Sequence, residues 1–201
     1  MASLYDWKPA FQQKLRPYAE RLHERGVTPN QVTLTALGLC AFEGALLLGW
    51  PGAWLPLLML PAVLFVRLAL NAIDGMIARE HAQETKSGKI LNELGDVLAD
   101  GFLYLPLMAV PSAPETLIGL AVLAGVAAEF AGVLAEAMGG ERRYDGPFGK
   151  SERAAAFGAA GLLLALGAEA GWWFDLLMLA VIALSARTAW NRADAAVRPP
   201  L

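Results

Sequence analysis

The stretch NAIDGMIAREHAQETKSGKILNELGDVLAD, residues 71–100, decides the architecture of this chain. It begins at the end of one apolar run, crosses a short polar segment and continues into the next apolar run. Because successive residues of an α-helix turn by about 100°, the polar and small residues of the first half share one stripe. They are Asn71, Asp74, Gly75, Ala78 and Arg79. Asn92, Asp96 and Asp100 follow one another a turn apart and form a second stripe. Two antiparallel helices joined by a short loop would bring the stripes face to face.

The composition around this stretch is that of a membrane protein. Of 201 residues, 56% are hydrophobic and 17% are charged. A soluble globule of this size cannot hide so much apolar surface, whereas a bundle in lipid needs apolar residues outside as well as inside. This excludes a nucleic-acid-binding module, a disordered tail and a secreted disulfide scaffold.

Six apolar windows are long enough to span a bilayer, which takes about 20 residues each. They cover residues 32–50, 54–73, 94–113, 115–138, 153–169 and 172–190. All but one of the 16 lysines and arginines fall before the first window, between the second and third, between the fourth and fifth (running into the start of the fifth), or from residue 187 onward. The exception is Arg67. The six windows predict an all-α integral membrane protein with six transmembrane helices. The positive-inside rule predicts that both termini lie in the cytoplasm.

The first 27 residues predict an amphipathic helix on the cytoplasmic leaflet. Phe11, Leu15, Tyr18 and Leu22 recur at helical spacing among basic residues. Simple membrane anchoring is the plainest interpretation of this segment. We expect one membrane domain over residues 1–201, with the amphipathic helix in 1–27 and the six-helix bundle in 28–201.

The two stripes also predict chemistry. Oxygen ligands on facing helices at the membrane surface suit a hard divalent cation, Mg²⁺ or else Mn²⁺ or Ca²⁺. Gly75 and Ala78 would let a phosphate group come close to the backbone. An interhelical polar clamp is the alternative, but a clamp needs only two or three polar groups, and this segment has many at one depth.

The segment resembles the signature of the CDP-alcohol phosphotransferase family, Asp-x2-Asp-Gly-x2-Ala-Arg-x8-Gly-x3-Asp-x3-Asp, with every spacing matched. The positions with identical residues are Asp74, Gly75, Ala78, Arg79, Gly88 and Asp96. The resemblance extends over essentially the whole chain, including the segment Thr28-Pro29-Asn30-Gln31-Val32-Thr33 at the start of the first span and Gly149-Lys150 before the fifth.

The resemblance implies an enzyme of phospholipid biosynthesis in the inner membrane. It would transfer a phosphatidyl or other substituted phosphoryl group from a CDP-alcohol, with CDP-diacylglycerol the expected donor, to an acceptor hydroxyl and release CMP. It further implies two divalent metals, a homodimer and an active site at the cytoplasmic face.

Carried over by position, the resemblance makes Asp96 both a metal ligand and the catalytic base. The metal ligands implied by the resemblance are Asn71, Asp74, Asn92 and Asp96. The nucleotide-binding residues implied by the resemblance are Thr28, Pro29, Asn30, Asn71, Gly75, Ala78, Arg79 and Gly88. For Thr28 to Asn30 the alternative is a plain helix start with Asn30 as its cap.

Two positions depart from the family pattern. Asn71 and Asn92 stand where the signature has its first and third aspartates. An amide oxygen can ligate a hard cation but brings no negative charge, so we expect weaker metal binding in a branch retuned at both positions. Asp100 restores charge if it faces the site.

The loop before the fifth window concentrates four cations beside glycines: Arg142, Arg143, Lys150 and Arg153. They predict a pocket for an anionic acceptor or a lipid phosphate, since arginine and lysine bind phosphate well. Positive-inside topology explains Arg142 and Arg143 equally well.

Two other functions compete with the phosphotransferase. The first is a non-catalytic relative that binds a CDP-lipid or an anionic lipid and regulates a partner, although a decayed site has no reason to keep Asp96. The second is a small transporter or channel subunit, for which the sequence lacks an internal repeat or paired broken helices.

Overall fold

The computed structural model describes residues 8–197, which form seven α-helices and one short 3₁₀ segment, with no strand in that range. The helices are α1 Lys8–Glu24, α2 Pro29–Gly49, α3 Trp54–Glu80, α4 Lys86–Tyr104, α5 Glu115–Ala137, α6 Lys150–Ala165 and α7 Trp172–Val197. The 3₁₀ segment Leu105–Ala109 extends α4. The all-α prediction is confirmed, and each apolar window corresponds to one of α2–α7.

Within residues 8–197, four helices are long and apolar enough to cross a membrane, namely α2, α3, α5 and α7. Helix α4 carries the second polar stripe of residues 71–100, which consists of Asn92, Asp96 and Asp100. Helix α6 has 16 residues, about 24 Å at 1.5 Å per residue, which is shorter than a hydrocarbon core of about 30 Å. The number of spans and the side on which the termini lie therefore stay predictions.

Helix starts follow local capping chemistry. Thr28 caps α2, because its hydroxyl accepts the Gln31 N–H and the Gln31 side chain accepts the Thr28 N–H at 2.9 Å. The expectation that Asn30 is the cap is wrong, since Asn30 already lies in the first turn. The Thr85 hydroxyl accepts the Gly88 N–H at 3.0 Å and starts α4 well before residue 94.

Helix α2 lies against α3 and α4, α3 packs on α6, and α5 packs on α7. Gly44 of α2 permits the closest approach: a Cβ there would collide with the Phe102 carbonyl group of α4. Tyr104 and Phe157 stack with ring centroids 3.9 Å apart and join α4 to α6 in the core. These contacts join α2, α4 and α6 in the core of the bundle.

Of the segment predicted as an amphipathic helix, Lys8–Glu24 forms α1, which lies along α3, and residues 1–7 lie outside the described residues. Leu15 and Leu22 pack against a buried cluster that includes Ile73 and Ile77 of α3. Tyr18, assigned to the same apolar face, is 56% exposed. The helix therefore uses part of its apolar face for packing on the bundle and leaves Tyr18 outside that contact.

Candidate functional site

Asp96 is the meeting point of three helices. On its Oδ1 side, Asn71 of α3 donates Nδ2–H at 2.6 Å. On its Oδ2 side lies the ammonium group of Lys150, from the first turn of α6. Arg67 of α3 donates to the Asp96 backbone carbonyl at 2.8 Å and lies 3.5 Å from Oδ1. The two stripes of the opening stretch thus meet at Asn71 and Asp96.

Asp74, the other carboxylate of the signature, is buried on the same helix as Asn71. The Thr33 hydroxyl of α2 donates to its Oδ2 at 2.7 Å. Asp74 lies about one turn after Asn71, whose amide contacts Asp96, so the two carboxylates border the same facing pair of helices. Thr33 lies near the start of the first predicted span, and its position in the sequence alone predicts no role in the site.

The remaining signature residues lie around this centre. The guanidinium group of Arg79 folds back over Gly75, where a Cβ would be 3.1 Å from two of its nitrogens. At Gly88 a Cβ would lie 2.8 Å from Oδ1 of Asn30, so the starts of α2 and α4 meet there. Ala78 is half-buried on α3, within the same stripe.

Asn92 behaves differently from Asn71. It is half-buried one turn before Asp96, and within residues 8–197 it has no hydrogen-bond partner. Both asparagines stand where the family signature has aspartate, but their structural roles differ. Only Asn71 contacts Asp96.

The donor set fits one hard divalent cation better than two. Between residues 8 and 197, no three His, Cys, Asp or Glu side chains come together as a metal cluster. Asp74 and Asp96 supply two carboxylates, and Asn71 and Asn92 can add amide oxygens. Mg²⁺ commonly binds through one or two carboxylates together with substrate phosphates, which is the pattern available here.

One turn deeper, Asp100 is held by two arginines. Arg67 donates to its Oδ1 at 2.5 Å, and Arg153 of α6 donates to its Oδ2 at 3.1 Å. All three side chains are buried. Asp100 shares Arg67 with Asp96, and its own charge is paired with Arg67 and Arg153.

Arg153 connects Asp100 to a second acidic centre, Glu129 of α5. Its Nη2 lies 2.9 Å from Glu129 Oε1, while Arg142 Nη2 and Arg192 Nη1 lie 3.0 and 3.3 Å from Oε2. Glu129 is 8% exposed and so receives three guanidinium groups in a buried setting.

Arg142 also forms a bidentate pair with Glu93 of α4, at 2.5 and 2.7 Å. Burial alone would lower the pKa of the Arg142 guanidinium, but the hydrogen bonds and charge of Glu93 raise that pKa above its ordinary value. Arg142 is therefore permanently charged and fixed between α4 and α5.

The four cations predicted to bind the acceptor all have carboxylate partners. Lys150 pairs with Asp96, Arg153 with Asp100 and Glu129, and Arg142 with Glu93 and Glu129. Arg143 is separate, paired with Asp145 at 2.9 Å in the loop before α6.

Sequence reasoning gave no role in the site to three members of this arrangement: Glu93, Glu129 and Arg192. A signal for Glu129 was present, because a carboxylate inside an apolar window should face the bundle interior. Arg192 was counted only among the topology-setting cations near the C-terminus.

The chain belongs to the CDP-alcohol phosphatidyltransferase family, whose sequence model matches residues 26–189. It is similar to the inner membrane protein YnbA of Escherichia coli K12, with 45% identity over 190 residues and 94% of each chain covered. It is also 36% identical over 104 residues to phosphatidylinositol phosphate synthase of Corynebacterium glutamicum, covering 52% of this chain and 45% of that one.

Solved structures share the fold. The phosphatidylinositol phosphate synthase of Mycobacterium tuberculosis with CDP-DAG bound superposes with a TM-score of 0.73 at 19% identity, covering 93% of this chain and 98% of that one. The same enzyme with manganese and citrate gives a TM-score of 0.73 at 20% identity and 93% coverage of both. With the four long apolar helices, the family places this chain among multi-pass membrane proteins.

Proposed function

We propose that this protein transfers a phosphatidyl group from CDP-diacylglycerol to an acceptor hydroxyl and releases CMP. One observation carries the proposal: Asp96 lies where α3, α4 and α6 meet, in contact with Asn71 and Lys150, at the centre of the family signature. The solved relative with CDP-DAG bound supports the same class of donor for this chain.

In the proposed reaction Asp96 acts as the general base. Its carboxylate takes the proton of the acceptor hydroxyl, and the resulting oxygen attacks the phosphorus that carries the diacylglycerol. The bond between that phosphorus and the bridging oxygen breaks, so CMP departs with the electron pair. Lys150 beside Asp96 lowers the cost of negative charge there, and Arg79, whose guanidinium group lies near Gly75, would contact the nucleotide phosphates.

We further propose that the reaction requires a divalent cation, with Mg²⁺ the expected ion and Mn²⁺ or Ca²⁺ as alternatives. Asp74, Asp96, Asn71 and Asn92 would hold it, and it would offset the charge of the pyrophosphate. A solved relative binds manganese, which supports this class of cofactor.

The proposal is tested by CMP release from purified protein in mixed micelles with CDP-diacylglycerol and a panel of acceptor alcohols. We expect release to stop in excess EDTA and to return with Mg²⁺, because the site relies on hard-cation ligands. Undiminished turnover in EDTA would refute the metal assignment.

A second test removes the base. Asp96→Asn should abolish CMP release at every pH, since the side-chain volume stays but the proton acceptor is lost. The amide oxygen introduced by this substitution can still accept a hydrogen bond from Lys150, so we expect the variant to fold. Turnover near that of the wild type would exclude Asp96 as the base.

A non-catalytic role is favoured by one observation, the engagement of both Asp96 oxygens by Asn71 and Lys150. In that case the protein would bind a CDP-lipid or anionic lipid without turnover. CDP-diacylglycerol binding with no CMP release from any acceptor would select this alternative.

We also propose that the site faces the cytoplasm in the inner membrane and that the chain forms a homodimer. The charge distribution supports the orientation, and the YnbA relative is named as an inner membrane protein. Cysteine labelling at Arg79→Cys from either side of sealed vesicles, in a Cys40→Ala background, tests the orientation. Cross-linking in native membranes tests the dimer.

A further inference from the structure

Glu129 already occupies the most cationic part of the bundle. Three arginines converge on its carboxylate, from the loop before α6, from α6 itself and from α7: Arg142, Arg153 and Arg192. Several guanidinium groups around one oxyanion are the usual arrangement for binding a phosphate monoester. Here the oxyanion belongs to the protein.

This cluster adjoins the proposed reaction centre. Lys150 and Arg153 lie three residues apart on one face of α6, and they pair with Asp96 and Asp100, which lie one turn apart on α4. An acceptor whose hydroxyl reaches Asp96 would therefore place its remaining groups toward Arg153 and Glu129.

A phosphate group entering the cluster would have to separate Glu129 from its arginines. The displaced carboxylate would be left buried beside a second anion, and an unpaired buried charge is strongly unfavourable. Arg142 and Arg153 are further neutralised by Glu93 and Asp100. The cluster therefore opposes a phosphorylated acceptor.

Hydrogen-bonding capacity nevertheless remains. Nη1 of Arg142 and Nη1 of Arg153 are buried and have no hydrogen-bond partner within the described part of the chain. Each can donate to an uncharged hydroxyl oxygen without disturbing the ion pairs, and a buried donor gains from such a partner.

We propose that Glu129 makes this protein specific for an uncharged polyol acceptor and excludes the phosphate monoester of the same polyol. The inference rests on the proposed transfer reaction and replaces the anionic acceptor expected from the loop cations alone. Glu129 acts here as a specificity-determining residue.

The test compares matched acceptors in the CMP-release assay: glycerol with glycerol 3-phosphate, and inositol with inositol 1-phosphate. We expect the wild type to favour the uncharged member of a pair by about tenfold or more, and Glu129→Gln to shift that ratio toward the phosphate by about tenfold. Glu93→Gln is the matched control, because it frees part of Arg142 but keeps the pairs of Glu129 with Arg153 and Arg192. Its preference between the two acceptors should equal that of the wild type. A wild type that favours the phosphorylated member would overturn the proposal.

A binding measurement makes the result independent of turnover and of the stability of the variant. Millimolar inorganic phosphate at constant ionic strength should raise the thermal unfolding midpoint of Glu129→Gln and Glu129→Ala, because phosphate refills the arginine cluster. It should leave the wild type and Glu93→Gln unchanged. An equal rise in the wild type would contradict the occupancy by Glu129.

The two proposals fail in different ways. If CDP-diacylglycerol gives no CMP with any acceptor while phosphate stabilises only the Glu129 variants, the transfer reaction is refuted and the occupied cluster stands. If CMP is released preferentially with the phosphorylated acceptors, the transfer reaction stands and the specificity assigned to Glu129 is refuted.

Discussion

Replacing Asn71 with aspartate should make the stability of the protein depend on a divalent cation. In the wild type, Asn71 Nδ2 donates to Asp96 Oδ1 at 2.6 Å. Asn71→Asp replaces this donor with a carboxylate, so a favourable contact becomes a contact between like charges.

The size of the effect follows from the geometry. Two unit charges about 4 Å apart repel by about 4 kcal/mol at an effective dielectric constant of about 20, and a lost hydrogen bond to a charged group adds about 1.5–3 kcal/mol. Lys150 and Arg67 lie beside Asp96 and offset part of this repulsion. We therefore expect a net loss of about 2 kcal/mol in metal-free protein, or about 4–8 °C in the unfolding midpoint of a chain of this size.

The assay is thermal unfolding in detergent, first in EDTA and then across an Mg²⁺ titration. A cation between the two carboxylates removes the repulsion, so Mg²⁺ should restore Asn71→Asp and bind it about tenfold more tightly than the wild type, equivalent to about 1.4 kcal/mol. Asn71→Ala is the matched control, because it removes the amide donor without adding charge, and Mg²⁺ should stabilise it no more than it stabilises the wild type. The reasoning is refuted if Asn71→Asp is as stable as the wild type in EDTA, or if Mg²⁺ protects both equally.

Asn92→Asp extends the same experiment. Since Asn92 does not contact Asp96, Asn92→Asp alone should lose little stability in EDTA. Only the variant that combines Asn71→Asp with Asn92→Asp should show the full increase in metal affinity. Turnover need not rise, because a tighter ground-state site helps only if the transition state gains more. An inert wild type and an active double variant would identify a decayed enzyme.

Two stability predictions follow from packing and charge, both measured by thermal unfolding. Gly44→Ala should cost about 1–3 kcal/mol because its Cβ would collide with the Phe102 carbonyl group. Gly38→Ala on the same helix meets nothing within 4 Å and should be neutral or stabilising by up to about 1 kcal/mol. Arg67→Met should cost about 3–5 kcal/mol, since it breaks the buried pair with Asp100 and removes the arginine beside Asp96. Its control, Arg16→Met, breaks an exposed pair and should cost less than about 1 kcal/mol; equal losses in the two would contradict the assigned burial.

The helices were predictable from sequence because both of their determinants are local. Long apolar windows predicted α2–α7, and turn-by-turn spacing predicted α1. The helix ends were less predictable, because they depend on hydrogen bonds made by single side chains. Thr28 rather than Asn30 caps α2, and Thr85 starts α4 inside a segment whose polarity placed it outside the apolar window.

The centre of the site was predictable for a related reason. Residues a turn apart share a helix face, so Asn71 and Asp96 were expected to approach across the antiparallel pair. The partners of Glu129 were not predictable, because they depend on how α5, α6 and α7 are rotated relative to one another. A list of loop cations cannot show that Arg142 and Arg153 meet a carboxylate of the bundle, and this is why the sequence alone favoured an anionic acceptor.

The shared carboxylate of Glu129 also constrains the order of biogenesis. Helix α5 leaves the ribosome before any of its arginine partners, which follow 13 and 24 residues later at Arg142 and Arg153, with Arg192 further on. A carboxylate alone in hydrocarbon is costly, so we expect α5 to become fully stable in lipid only when its arginine partners arrive. We therefore expect a chain truncated before α6 to be degraded faster than the full chain, and Glu129→Gln to reduce that difference.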